Sequence, residues 1–197
     1  MVLLPRIQVN GRVQCDLNPM GMKKSTLLSI TAFLFLMVYC VDPERKKTDV
    51  ANATATESRL KTASETYLKA WSDRDTVLID AMALPNMVRN VNGKIVSNNP
   101  SGLTETLKYL NTAIPDFEVS AHEIAVLGNK SYINWTCTGT LTGMLGTIPP
   151  TGKKSTTEGF SILTFDNQGK LMNESAYYDL LGILQEWGFT VTPPVME

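Results

Sequence analysis

Few side chains in this chain can do chemistry, and their numbers narrow which chemistry that is. There is one histidine, His122, and there are three cysteines, Cys15, Cys40 and Cys137. A single imidazole excludes a multi-histidine metal centre. Three thiols fall short of a four-thiolate zinc site or a disulfide framework. A nucleophilic Cys137–His122 pair would need both residues on one face of a sheet, and no pattern puts them there. Gly152-Lys153-Lys154-Ser155 looks like part of a phosphate-binding loop. Such a loop needs a glycine where Thr147 stands and a hydroxyl residue where Lys154 stands, so nucleotide binding is excluded and the stretch is a hairpin loop.

Carboxylate chemistry remains. Glu174 and Asp179 lie in and just after the last strand-like segment. A carboxylate in a mostly apolar pocket serves as a general acid or base. Asn173, Ser175, Tyr177 and Asp179 share one face of that strand, and Glu174, Ala176 and Tyr178 share the other unless a bulge intervenes. Which face meets a cavity stays open. Asp179 also stands at a strand-to-helix junction, where it would cap the closing helix. Glu174 is either an inward acid, sharing a proton with Asp179 or holding a polar ligand, or outward strand decoration.

The elements that must position these groups follow from periodicity. Leu60, Ala63, Tyr67, Leu68 and Trp71 form one helical stripe over 58–71. A short helix follows over 75–82, stopped by Pro85. Strands over 87–91 and 94–97 flank the Asn92-Gly93 turn. Ser101 is placed to cap a helix through Leu103, Leu107, Leu110 and Ala113. The period then changes to two, giving strands over 117–126, 131–141, 156–165 and 170–178, with a short helix or turn over 179–188. Helices grouped before an antiparallel meander predict an α+β fold, a curved sheet packed against helices around a cone-shaped cavity. Tyr67 and Trp71 are expected in the cavity roof and Trp135 in its wall. One of Arg89 and Asn90 points inward to an anionic group, or both lie on a solvated edge strand. His122 reads as a surface residue and Cys137 as a small core residue.

The chain of 197 residues carries a net charge of −1 and is 43% hydrophobic. That is ordinary for one folded domain plus extras, and it carries no basic footprint for nucleic acid. Lys23-Lys24 precedes the apolar run Leu27 to Val41, which is 15 residues long. A bilayer-spanning helix needs about 20. The pattern predicts an export segment over 1–40, with translation starting at Met22 and residues 1–21 an over-extended start. Cys40 at the end of the run suggests a bacterial lipoprotein at the envelope, periplasmic or on the outer membrane, with Cys40 acylated and the membrane surface as partner. Tyr39, directly before it, departs from the usual small residue. Residues 41–57 read as a flexible tether and 58–197 as the domain.

The element order and several motifs resemble the SnoaL-like polyketide cyclases of the nuclear-transport-factor-2-like superfamily. The motifs are Ile114-Pro115-Asp116-Phe117, Asn134-Trp135-Thr136, Gly139-Thr140-Leu141-Thr142-Gly143, Pro149-Pro150-Thr151-Gly152-Lys153-Lys154 and Tyr178-Asp179-Leu180-Leu181-Gly182-Ile183-Leu184-Gln185. The resemblance covers about residues 60–189. It implies cofactor-free, metal-free acid/base chemistry of the aldol-cyclisation or isomerisation type on a small apolar or polyketide-like molecule. Asp179 takes the catalytic position, with Glu174 and Tyr178 assisting. It also implies a homodimer formed through the outer sheet face. Leu141 and the pair Glu174-Ser175 stand where the family often has histidine and His-Trp. Those departures favour the alternative of a non-catalytic ligand- or protein-binding module.

Overall fold

The computed structural model describes residues 43–193. Two compact units divide the chain at Met1–Lys47 and Thr48–Glu197. Of the first unit, residues 43–47 are described, and they are helical. The expected export segment, the start at Met22 and the acylated Cys40 lie outside the described residues. No helix among the described residues is long and apolar enough to cross a membrane.

Helix α1 runs over Pro43–Asp73, well beyond the 58–71 stripe. The expected tether holds no glycine, and no proline after Pro43, so nothing in it ends a helix that the later stripe anchors. Its first buried side chain is Leu60, followed by Ser64, Tyr67, Leu68, Ala70 and Trp71. Arg74 takes a left-handed conformation at φ 60° and ends the helix. Its guanidinium bonds the carbonyls of Ser72, Pro115 and Phe117, tying the helix end to a distant loop. Asp75 then caps α2 (Thr76–Met82) by accepting from Leu78 N at 2.9 Å.

Strand β1 covers Ala83–Val91 and β2 covers Lys94–Ser97. β1 starts earlier than the expected Met87, with Pro85 inside it. The pairing to the neighbouring strand breaks register between Ala83 and Val88, so the missing N–H of Pro85 falls where no ladder bond is needed. Asn92 and Gly93 both have positive φ, as a two-residue hairpin demands. Helix α3 spans Pro100–Ala113. Its cap is Asn99 and not Ser101. The Asn99 side chain accepts from Gly102 N at 2.9 Å, and Pro100 takes the first helical position, where a missing N–H costs nothing.

Strands β3 (Glu118–Leu127), β4 (Lys130–Thr140), β5 (Lys154–Phe165) and β6 (Leu171–Tyr178) follow as an antiparallel meander, and α4 (Leu180–Glu186) closes the fold. The six-stranded sheet has the order β2-β1-β6-β5-β4-β3. Its one parallel joint joins β1 to β6. Apolar side chains of α1, α2, α3 and the inner sheet face form one core around Tyr67, Met87, Leu107, Ile133 and Phe165. Ala113, Ile114, Leu141, Ile183 and Trp187 form a second cluster.

Candidate functional site

The inner sheet face and the helices enclose a cavity of about 300 Å³. Its walls come from every layer. Leu68 and Trp71 face it from α1, and Thr106 and Leu110 from α3. Trp135 and Cys137 face it from β4, Ala176 and Tyr178 from β6, and Leu180, Ile183 and Trp187 from α4 and its end. The loop after β4 adds Leu145 and Ile148. All three tryptophans of the chain therefore line one cavity.

Two charged residues interrupt this apolar wall. Arg89 and Glu174 are register partners on β1 and β6 and both line the cavity. Arg89 Nε donates to Glu174 Oε2 at 2.7 Å, and their side chains are only 12% and 5% exposed. Tyr67 Oη donates to the same oxygen, also at 2.7 Å. Oε1 of Glu174 and the two terminal nitrogens of Arg89 make no hydrogen bond to the described residues. The Arg89 guanidinium also stacks on Trp71, with its carbon 4.8 Å from the ring centroid.

The environment fixes the protonation of the donors. Burial, then the negative charge of Glu174, holds the Tyr67 hydroxyl well above its ordinary range, so Tyr67 is a neutral donor. Burial is the strongest single influence and works against the Arg89 charge, but the Glu174 carboxylate together with Tyr67 and Tyr178 outweighs it and keeps Arg89 cationic. Tyr178 is likewise pushed up by burial, and Arg89, Cys137 and Glu174 all lie within electrostatic reach of its hydroxyl. Burial pushes the Cys137 thiol up to about 11, which leaves it an inert wall group and not a nucleophile.

The sequence-derived candidates divide accordingly. Trp71, Arg89, Trp135, Glu174 and Tyr178 line the cavity. Tyr67 sits behind them, fully buried, and positions Glu174. Asn90 is outside the lining. It pairs in register with Ser175, on the strand face opposite Glu174. Asp179 is also outside it. Asp179 is exposed, and its Oδ1 accepts from Gly182 N at 2.9 Å as the cap of α4. Strand alternation is the reason: Glu174, Ala176 and Tyr178 point inward, and Asp179 follows the outward set. Leu141 is buried in the second cluster, and Ser175 points away from the cavity wall. His122 is exposed and meets Thr136 Oγ1. Thr136 precedes the inward Cys137, so the histidine and the thiol occupy opposite faces.

Sequence reading did not foresee that Arg89 and Glu174 would be partners. The signal was divided between two strands 85 residues apart, joined by a parallel pairing that no hairpin announces. The lining contributed by Leu145, Ile148 and Trp187 was also missed, because loops and helix ends carry no periodicity.

The described residues contain no group of three or more His, Cys, Asp or Glu side chains that could hold a metal ion. The chain belongs to the SnoaL-like polyketide cyclase family, whose sequence pattern matches residues 61–187. Solved structures agree on the fold. AclR from Streptomyces galilaeus has 20% identity and a TM-score of 0.61, over 70% of this chain and 90% of its own. A protein of ketosteroid isomerase-like fold from Catenulispora acidiphila, solved with trimethylamine, has 12% identity and a TM-score of 0.57, over 66% of this chain and 97% of its own. An epoxide hydrolase of the LEH-like type from M. tuberculosis has 17% identity and a TM-score of 0.54, over 66% and 90%. No curated protein sequence matches the chain.

Proposed function

We propose that this domain binds a small, largely apolar molecule in its cavity and holds a polar group of that molecule at the Arg89–Glu174 pair. One observation carries the reading: among the described residues one buried ion pair, Arg89–Glu174, stands in a mostly apolar wall that holds no other charged side chain, beside about 300 Å³ of open space. Pockets of this kind take most of their affinity from apolar contact and their orientation from a few polar groups. A core built for stability alone gains little from a buried ion pair, since apolar side chains of similar volume serve as well or better.

A second reading is proton transfer on the bound molecule, of the aldol-cyclisation or isomerisation type. Glu174 Oε1, which accepts no hydrogen bond from the described residues, supports Glu174 as the acid/base for it. Asp179 is exposed, outside the lining and engaged as the cap of α4, which favours Glu174 over it for that role. Binding ranks first because protonating Glu174 would remove the negative charge that balances the buried Arg89 and weaken the bonds Oε2 accepts from Arg89 and Tyr67. The test is direct. Protein purified from its native host is weighed intact by native mass spectrometry, and any released molecule is titrated back against tryptophan emission. Binding predicts recovery of one small neutral or weakly polar compound per chain, unchanged after incubation. Turnover of that compound, lost in Glu174→Gln, would instead establish the catalytic reading.

The pattern of residues 23–41 supports an exported, lipid-anchored placement through Cys40. Metabolic labelling with a fatty-acid probe, lost in Cys40→Ser, tests it.

A further inference from the structure

We infer that the cavity selects uncharged ligands that carry a hydrogen-bond donor and acceptor side by side, as in a carboxamide or a lactam, and rejects carboxylates and amines. The inference rests on the ligand-binding reading above and specifies its substrate class. It comes from how the two charged residues use their atoms. Arg89 spends Nε on Glu174, and Glu174 spends Oε2 on Arg89 and Tyr67. The ion pair is thus neutral as a unit. Both residues line the cavity, and the terminal N–H donors of Arg89 and the Oε1 acceptor of Glu174 have no hydrogen-bond partner among the described residues. A ligand carbonyl meets the first and a ligand N–H meets the second.

A ligand carboxylate would face the Arg89 donors with Glu174 Oε1 beside it, two acceptors against each other in a dry site. A ligand ammonium would pair with Oε1 but lie against the Arg89 cation. Each brings one net charge into an apolar cavity with no opposite charge left to meet it, which is costly. Other ionisable groups at the wall supply none, Tyr178 being a neutral phenol and Cys137 a neutral thiol, and Tyr67 behind the wall is neutral too. A ligand with only an acceptor leaves Oε1 unmet and forfeits part of the affinity.

Four naphthalene probes of one shape separate these cases: 2-naphthamide, 2-acetylnaphthalene, 2-naphthoate and 2-naphthylmethylammonium. Each is titrated calorimetrically against the full-length chain at pH 7. The amide is expected to bind at least tenfold more tightly than the ketone and more tightly still than either ion. Glu174→Gln keeps the shape and an acceptor at the same position but leaves the Arg89 charge unbalanced, so 2-naphthoate should become the preferred probe. Equal or tighter binding of either ion to the unaltered chain overturns this inference and leaves the binding reading standing. So does a folded Glu174→Gln variant with unchanged preference. Failure of every probe to bind overturns both. If Glu174→Gln does not fold, the ranking on the unaltered chain still decides.

Discussion

Arg89 and Glu174 sit directly opposite each other across the one parallel joint of the sheet, and their side chains close a 2.7 Å ion pair on the cavity side. Breaking half of such a pair leaves a buried charge without its partner. Arg89→Met is expected to cost about 3–5 kcal/mol. Arg89→Met with Glu174→Met should cost less than Arg89→Met alone, because no charge is then stranded. Urea denaturation of the two variants measures the difference, and an additive double variant would contradict the account.

Tyr67→Phe removes one donor from Glu174 while keeping the ring in place. A hydrogen bond to a charged group contributes about 1.5–3 kcal/mol, so a loss in that range is expected at pH 7. The tyrosine also sets an alkaline limit. Its folded pKa lies above the unfolded value, so its contribution is full below about pH 10 and declines as pH rises beyond that. The phenylalanine variant should lack this part of the alkaline decline.

Cys137 gives a second, separate titration. Its thiol is held at about 11 in the fold against 9.0 ordinarily. Stability from that group is complete below pH 9 and is lost as pH climbs to 11. Cys137→Ala should flatten the fall in that window, whatever its pH-independent cost. Thermal melts at half-unit pH steps check the slope.

Asp179→Ala removes a helix cap. It should destabilise by about 0.5–2 kcal/mol and leave probe affinity within twofold. Glu174→Gln, by contrast, should change probe affinity strongly. A large loss of binding in a folded Asp179→Ala protein would return the acid at the strand end to the site.

Gly159 is the floor beneath Trp135. A side-chain carbon there would lie 2.2 Å from the indole ring, whose Nε1 donates to Ser161 Oγ at 2.9 Å. Gly159→Ala should cost about 1–3 kcal/mol and push Trp135 into the cavity. Lower probe affinity together with shifted tryptophan emission is the expected readout.

Much of this architecture is legible in the residues themselves. The Leu60–Trp71 stripe, the Asn92-Gly93 turn and the two-residue alternation of the four long strands all report local geometry, and local geometry is what periodicity encodes. The cap of α3 at Asn99 was readable too, had Pro100 been given its weight at the first helical position. The site was harder. Alternation sorted Glu174 from Asp179 onto opposite faces but could not say which face was dry, since that depends on where α1 and α3 lie. A buried acid costs free energy and so looks improbable on its own, until the arginine that compensates it is found on another strand.

The parallel joint has a consequence for how the molecule comes into being. Its two strands are separated by the whole meander, so closing it is a long-range event with a high entropic cost and few local contacts to guide it. During synthesis the β3–β4–β5 hairpins can form while β6 is still inside the ribosome, but the ligand chamber cannot. It is completed only once β6 and then α4, which carries Leu180 and Ile183, have emerged, making competence to bind a late property of the nascent chain.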